Sequence, residues 1–248
     1  MIFRQASDFY RVMEAFPEYE YTGGTDGRCF KPRLTPQRLT ELGEFIYSLG
    51  GTLAHAHPKE RMASDDPLDF YFGDKCAIET VVNYAESYGT VQNVRLWEAL
   101  LKLGKRVYTR GMTDAHTCAR NTALTSTYTQ HHRAVEVLDA VREGDCSAGC
   151  VGIQMAIGGT RMGGHRAYRD GLKLAVRLDD YYRPGMKEDT VYCLKVYTDK
   201  GLAYASEFDG KQPQELVLPV EKRMYYRVEV TNESDGAYVA VSNPIWLD

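Results

Sequence analysis

Long apolar runs are missing from this 248-residue chain: no window approaches the roughly 20 consecutive apolar residues of a helical bilayer span. The opening MIFRQASDFYRVMEAF also lacks the uninterrupted apolar core of a signal peptide. The expectation is a soluble, cytoplasmic chain, with secretion requiring an upstream segment. A dominant charge is missing too. Lys and Arg number 30 against 34 Asp and Glu, with no basic cluster, so the electrostatic footprint of a nucleic-acid or anionic-membrane partner is absent. Cysteine is sparse: six thiols are scattered at 29, 76, 118, 146, 150 and 193, in a chain too large to need covalent staples, and they read as reduced. The closest pair, in CSAGC, is a lone C-x3-C without the second ligand pair of a structural zinc site, and reads as two small buried thiols. The sequence contains no repeat and no low-complexity segment, and its 44% hydrophobic content suits a globular protein.

What is present falls into two grammars. Up to about residue 145, helical and strand-like patterns alternate. Ser7 to Phe16 reads as an amphipathic helix stopped by Pro17, and YEYTGGTDG as a short strand entering a glycine-rich turn. Thr35 is an N-cap with Pro36 at the first helical position, after which Leu39, Leu42, Phe45, Ile46 and Leu49 recur at helical spacing. TLAHAH is a strand, Pro58 to Asp74 a loop, and CAIETVVNY a strand rich in β-branched residues. Val91 to Leu103 is a helix capped by Gly104; KRVYTRGM and TALTSTY are strands; HHRAVEVLDAVRE is a helix closed by Gly144. Such alternation implies a parallel sheet. After Gly144 come short alternating runs, GLKLAVRL, TVYCLKVYT, ELVLPV, MYYRVEVT and AYVAVSN, separated by polar turns. They predict a small all-β sandwich. The division is placed at 1–147 and 148–248.

Two short stretches carry chemistry. In RGMTDAHT, Asp114 and His116 lie two residues apart just after an apolar strand, and in GGTLAHAHP, Leu53, His55 and His57 share one strand face before Pro58. Both motifs fall at the C-terminal ends of strands, where loops converge in parallel α/β folds. Imidazole with carboxylate suits zinc, manganese or iron, and three such ligands with open positions activate water. Each motif also has a plainer reading, since a strand-end histidine is often a core residue and an Asp after a strand often caps a turn. His55, one step deeper, fits a hydrogen-bonded structural role as well as ligation. His131 and His132 open a helix and read as solvated, and His165 lies in a glycine-rich turn.

AHAHP, then AIETVVN, then LWEALLKLGKRVYTRGMTDAH, in that order, resemble the later motifs of the PHP (polymerase and histidinol phosphatase) superfamily of metal-dependent phosphoesterases. The likeness is greatest to two-domain members that carry a β-sandwich after the barrel. It covers residues 40 to 145 closely and the remainder loosely, the terminal SNPIWL included. The resemblance implies that His57, Asp114 and His116 hold metal, with Glu79 and Asn83 near the site and Glu79 supporting rather than ligating. The family opens with a His-x-His strand end, a Thr-Asp-His motif and a carboxylate ligand, none of which occurs in residues 1 to 50. The expected architecture is therefore α/β, a partial (β/α) barrel that begins part-way through, followed by the sandwich.

The expected function is hydrolysis of a small phosphorylated substrate by metal-activated water, weak because the ligand set is short. Arg110 and Arg120 flank the last motif and are candidate contacts for the substrate anion, with surface salt bridges as the alternative. Unpaired strand edges favour self-association into a homo-oligomer. A second reading, from another class, is a non-catalytic binding module in which the tyrosine-rich sandwich, with Tyr181 and Tyr182 in DDYYRPG, holds a carbohydrate or protein and the barrel remnant is scaffold.

Overall fold

The structure, a computed structural model, describes residues 1–18, 35–56, 58, 64–81, 87–113, 123–179, 186–210 and 214–248. It is a mixed α/β molecule, mostly sheet, with four helices among the described residues. None of them is long and apolar enough to cross a membrane.

The first region is built from local rules that hold closely. Helix α1 runs Ala6–Ala15 and stops at Phe16, before Pro17. Helix α2, Pro36–Ser48, starts as its sequence demands: Thr35 Oγ1 accepts from Arg38 N at 3.2 Å and Pro36 sits in the first turn. Strand β1 is Ala54–His55 and β2 is Ala77–Val81. Among the described residues between them is a 3-10 turn, Pro67–Phe70, whose first turn is capped by Asp66. Helix α3, Ser87–Lys102, ends before Gly104, which takes φ +75°. Strand β3, Tyr108–Gly111, follows. The three strands form one parallel sheet in chain order, with Ala54, Ala77 and Tyr108 in one row and His55, Ile78 and Thr109 in the next. Leu42 and Ile46 of α2 pack with Leu53, Phe72 and Cys76, while Val94, Trp97 and Leu101 of α3 pack with Ile78, Val81 and Val107.

Strand β4, Leu124–Thr127, then helix α4, Ala134–Glu143, and strand β5, Cys146–Gly149, follow. Gly144 caps α4 in the left-handed region at φ +77°, and a Cβ there would stand 2.5 Å from the Tyr108 ring, so two constraints demand glycine. The strand expected in TALTSTY does form, but it pairs antiparallel with β5 instead of adding a fourth parallel strand.

The remaining strands are β6 (Gly152–Ile157), β7 (Thr160–Arg161), β8 (His165–Arg166), β9 (Lys173–Asp179), β10 (Val191–Thr198), β11 (Gly201–Asp209), β12 (Glu215–Pro219), β13 (Tyr225–Asn232), β14 (Tyr238–Ser242) and β15 (Ile245–Leu247). A large sheet runs β11-β10-β13-β14-β5-β4, with β15 beside β13 and β8; a second sheet runs β12-β9-β6-β7. Every second residue of four strands meets in one core: Ile153 and Ile157 of β6, Leu174, Val176 and Leu178 of β9, Tyr192, Leu194 and Val196 of β10, Val228 and Val230 of β13. Between residues 151 and 248 no helix occurs among the described residues.

The other face of the large sheet is also covered. Ala148, Tyr225, Val241 and Trp246 share a cluster with Trp97 of α3 and Ile78 of β2. The parallel sheet meets the large sheet through side chains that imitate a strand. Asn243 Oδ1 accepts from Thr109 N at 2.7 Å, and its Nδ2 donates to Thr109 O at 3.2 Å and Cys146 O at 3.1 Å. One step along, Thr125 Oγ1 accepts from Gly111 N at 3.2 Å and donates to Gly111 O at 2.9 Å. Residues 109 and 111 turn their peptide groups to the same strand edge, so side chains occupy the positions a fourth parallel strand would use. That explains why β4 joins the other sheet.

Because Asn243 is fully buried, truncating it leaves the Thr109 amide without a partner. Asn243→Ala should cost roughly 2–4 kcal/mol, and Thr125→Val about 1 kcal/mol, in reversible denaturant unfolding. A loss below about 0.5 kcal/mol for Asn243→Ala, the range of ordinary surface changes, would contradict the role given to the amide.

Candidate functional site

Three parallel strands in chain order put their C-terminal ends along one rim of the sheet. After β1 come Ala56 and then His57; after β2 come residues 82–86, with Asn83; after β3 come Met112, Thr113 and then 114–122, with Asp114, His116 and Arg120. His57, Asn83, Asp114, His116 and Arg120 lie outside the described residues. Both ends of the last segment are described and tied together: Thr113 Oγ1 donates to Ala123 O at 2.7 Å.

His55, Glu79 and Arg110 are described, and the sheet does not bring all three together. His55 is in register with Ile78, on the face that packs toward the helices. Its ring stacks on Phe72 at 4.6 Å and tilts against Phe70 at 5.8 Å. Glu79 is one residue on from Ile78, hence on the opposite face, fully buried, and in register with Arg110. His55 and Glu79 therefore look away from each other across the sheet.

Arg110 is only 4% exposed. Its guanidinium donates to Thr52 Oγ1 and, at 3.5 Å, to the Val141 carbonyl of α4. Burial pulls its pKa down, with the Cys146 and Cys76 thiols as its electrostatic neighbours. The expected contact between Arg110 and a substrate anion does not suit this placement, because a group enclosed between sheet and α4 meets no solvent-borne ligand unless its cover moves. Among the described residues no group of three or more His, Cys, Asp or Glu is gathered for a metal ion.

A feature with no named motif behind it is a cleft of about 590 Å³ beside β4, lined by Ser126, Thr127, Thr129, His132 and Asp179 among others. Its one signal in the sequence is the recurrence of threonine at 125, 127 and 129. His132 lies on this cleft, two residues before α4 begins at Ala134. No protein-family model matches the chain, and no curated protein matches it in sequence.

The thiols beside Arg110 are set up to be inert. Burial raises Cys146 to about 11 and Cys76 to about 12. At about pH 8 only on the order of one Cys146 in a thousand is then a thiolate, and it is enclosed. Iodoacetamide followed by peptide mass mapping should leave Cys76 and Cys146 unmodified in the native protein and label both after unfolding in guanidinium. Native labelling of either would show that its own surroundings are open to reagent.

Proposed function

We propose that residues 1–147 form the later part of a PHP-type (β/α) barrel and residues 148–248 a β-sandwich, and that the chain acts on small phosphate esters through divalent metal held by His57, Asp114 and His116. The observation that carries the reading is the side-by-side, in-order parallel arrangement of β1, β2 and β3. In the sequence, the AHP, IE-x3-N and DAH motifs overlap or follow the C-terminal ends of those strands, in the order in which the family uses them. His57 follows His55 by two residues and Asp114 follows Gly111 by three. At about 3.3 Å per residue and about 4.8 Å between strands, a common point is within reach of both.

Two imidazoles and a carboxylate suit zinc, manganese or iron. Such an ion, when bound, supplies water activation and offsets charge on the phosphoryl oxygens. The chain's own contribution is positional. Glu79, buried on the middle strand, supports the rim from below, and Asn83 follows it on the loop side. With Arg110 enclosed, Arg120 is the remaining arginine candidate for the substrate anion. The partner is a small phosphorylated molecule rather than nucleic acid or membrane. The two-residue edge strand β1 is the side on which copies of the chain would associate.

Residues 1 to 50 contain neither the opening His-x-His strand end nor the Thr-Asp-His motif of the family, and the His-x-His of AHAHP stands where the later motif belongs, so the ligand set is short and turnover should be low. Elemental analysis after manganese, zinc or iron loading should detect metal that is lost in His57→Ala. Assays with simple phosphomonoesters and phosphodiesters should give turnover below about 1 per second, the low end of ordinary enzymes. A protein that takes up no metal under any loading would overturn the reading. Fast turnover that vanishes in His57→Ala would instead show a complete site with ligands beyond these three.

A further inference from the structure

Strand β4 pairs with β5 and with no other described strand, and its residues line a cleft of about 590 Å³. Across the cleft stand the paired ends of β6 and β9, where Gly152 and Asp179 are register partners. The volume suits a small organic molecule. The lining mixes apolar surface with hydroxyls from Ser126, Thr127, Tyr128 and Thr129. One carboxylate joins them. The Asp179 side chain is 5% exposed and held in place, with Gln154 Nε2 donating to it at 2.6 Å and Arg177 Nε at 3.0 Å. Among the described lining residues there is no lysine or arginine.

An anion would find no lysine or arginine among the described lining residues, with Arg177 already engaged by Asp179, and a wholly apolar ligand would strand the hydroxyls. The lining favours a ligand that both donates and accepts many hydrogen bonds without charge. The position matters equally. Thr125, on the cleft wall, is hydrogen-bonded to both backbone groups of Gly111 at the C-terminal end of β3. One end of the cleft therefore abuts the rim from which the Asp-x-His segment departs.

We infer that this cleft binds a neutral polyhydroxylated group, a sugar or cyclitol, as the alcohol portion of the substrate whose phosphate faces the rim. The inference rests on the phosphoesterase reading for the words "alcohol portion", while the binding itself does not need metal. The test is a titration of the metal-free chain with methyl glucoside, methyl galactoside and myo-inositol, followed by backbone amide NMR shifts, with inorganic phosphate as the anionic comparison. At least one polyol should bind with a dissociation constant of about 1 mM, the weak end of specific affinity. The shifts should centre on residues 124–132, 150–152 and 179. Thr127→Arg, which fills the cleft, should weaken binding by about tenfold or more. Thr129→Arg, placed beyond the end of the strand, provides the same block should Thr127→Arg fail to fold.

Binding of phosphate in the cleft, absence of binding by all three polyols, or polyol binding that survives both arginine variants would each overturn the inference. Metal-dependent hydrolysis is measured separately. Hydrolysis without polyol binding sinks the cleft and leaves the phosphoesterase reading intact. Polyol binding in the cleft by a chain that takes up no metal under any loading sinks that reading and upholds the cleft as the polyol site.

Discussion

The carboxamide of Asn243 is the contact on which the rest of the molecule turns. It offers the Thr109 peptide one acceptor and one donor, as a neighbouring strand would, while also holding the Cys146 carbonyl of the large sheet. A side chain can do this where a strand cannot, because it approaches from a sheet that lies across the parallel strands. With Thr125 repeating the device at Gly111, the outer side of β3 is closed. The parallel sheet therefore grows only from β3 toward β1, and the C-terminal ends of its strands are held in a fixed relation to β4 and the cleft beside it.

The same junction explains why so much polar surface is buried. The large sheet is covered on both faces, so the residues of β13 that alternate away from the main core are not solvated. Arg227 is fully buried, paired with Glu229 and, at 3.6 Å, with Glu98 of α3, and it lies 5.3 Å from the Trp97 ring centroid and 4.6 Å from that of Tyr197. An ion pair so placed adds little net stability over an apolar replacement, but losing one partner would cost about 3–5 kcal/mol. Its effect is on specificity: α3 docks on the large sheet where Glu98 reaches Arg227. At the other end of the parallel strands, Lys75 donates to Tyr47 at 2.6 Å and to Glu143 at 2.9 Å, which ties α2 and α4 to the strand leading into β2. Helix, parallel sheet and antiparallel sheet are thus joined by polar contacts at places that each element's own periodicity leaves unspecified.

That is also the limit of what the sequence could disclose. Thr35 with Pro36, Gly104 and Gly144 announced helix ends because their chemistry acts within one turn, and the β-branched runs at 77–81 and 191–198 announced strands by alternation. GIQMAI, GLAYASEFD and IWL escaped notice. The first lies between two glycine-rich turns, and the second alternates small residues over a half-exposed surface. The third is a strand of three residues made by its partners β13 and β8. In MYYRVEVT the alternation was visible, but not that Arg227 and Glu229 lie under α3. Of the candidate site, the strands that precede the motifs were legible from alternation. The burial of Arg110 and the closure of β3 by Asn243 depend on contacts more than fifty residues apart in sequence, and the turning of His55 away from Glu79 depends on the register of β1 against β2, none of which a local pattern encodes.

The functional account reduces to one geometric claim: the segments that leave β1 and β3 meet at one metal ion. Pulsed EPR of manganese-loaded protein carrying isotope-labelled histidine reads that geometry directly, because only coordinated imidazole nitrogens couple to the ion. The account predicts couplings from two histidines, one lost in His57→Ala and the other in His116→Ala. A spectrum without histidine coupling, or one unchanged in both variants, would contradict it.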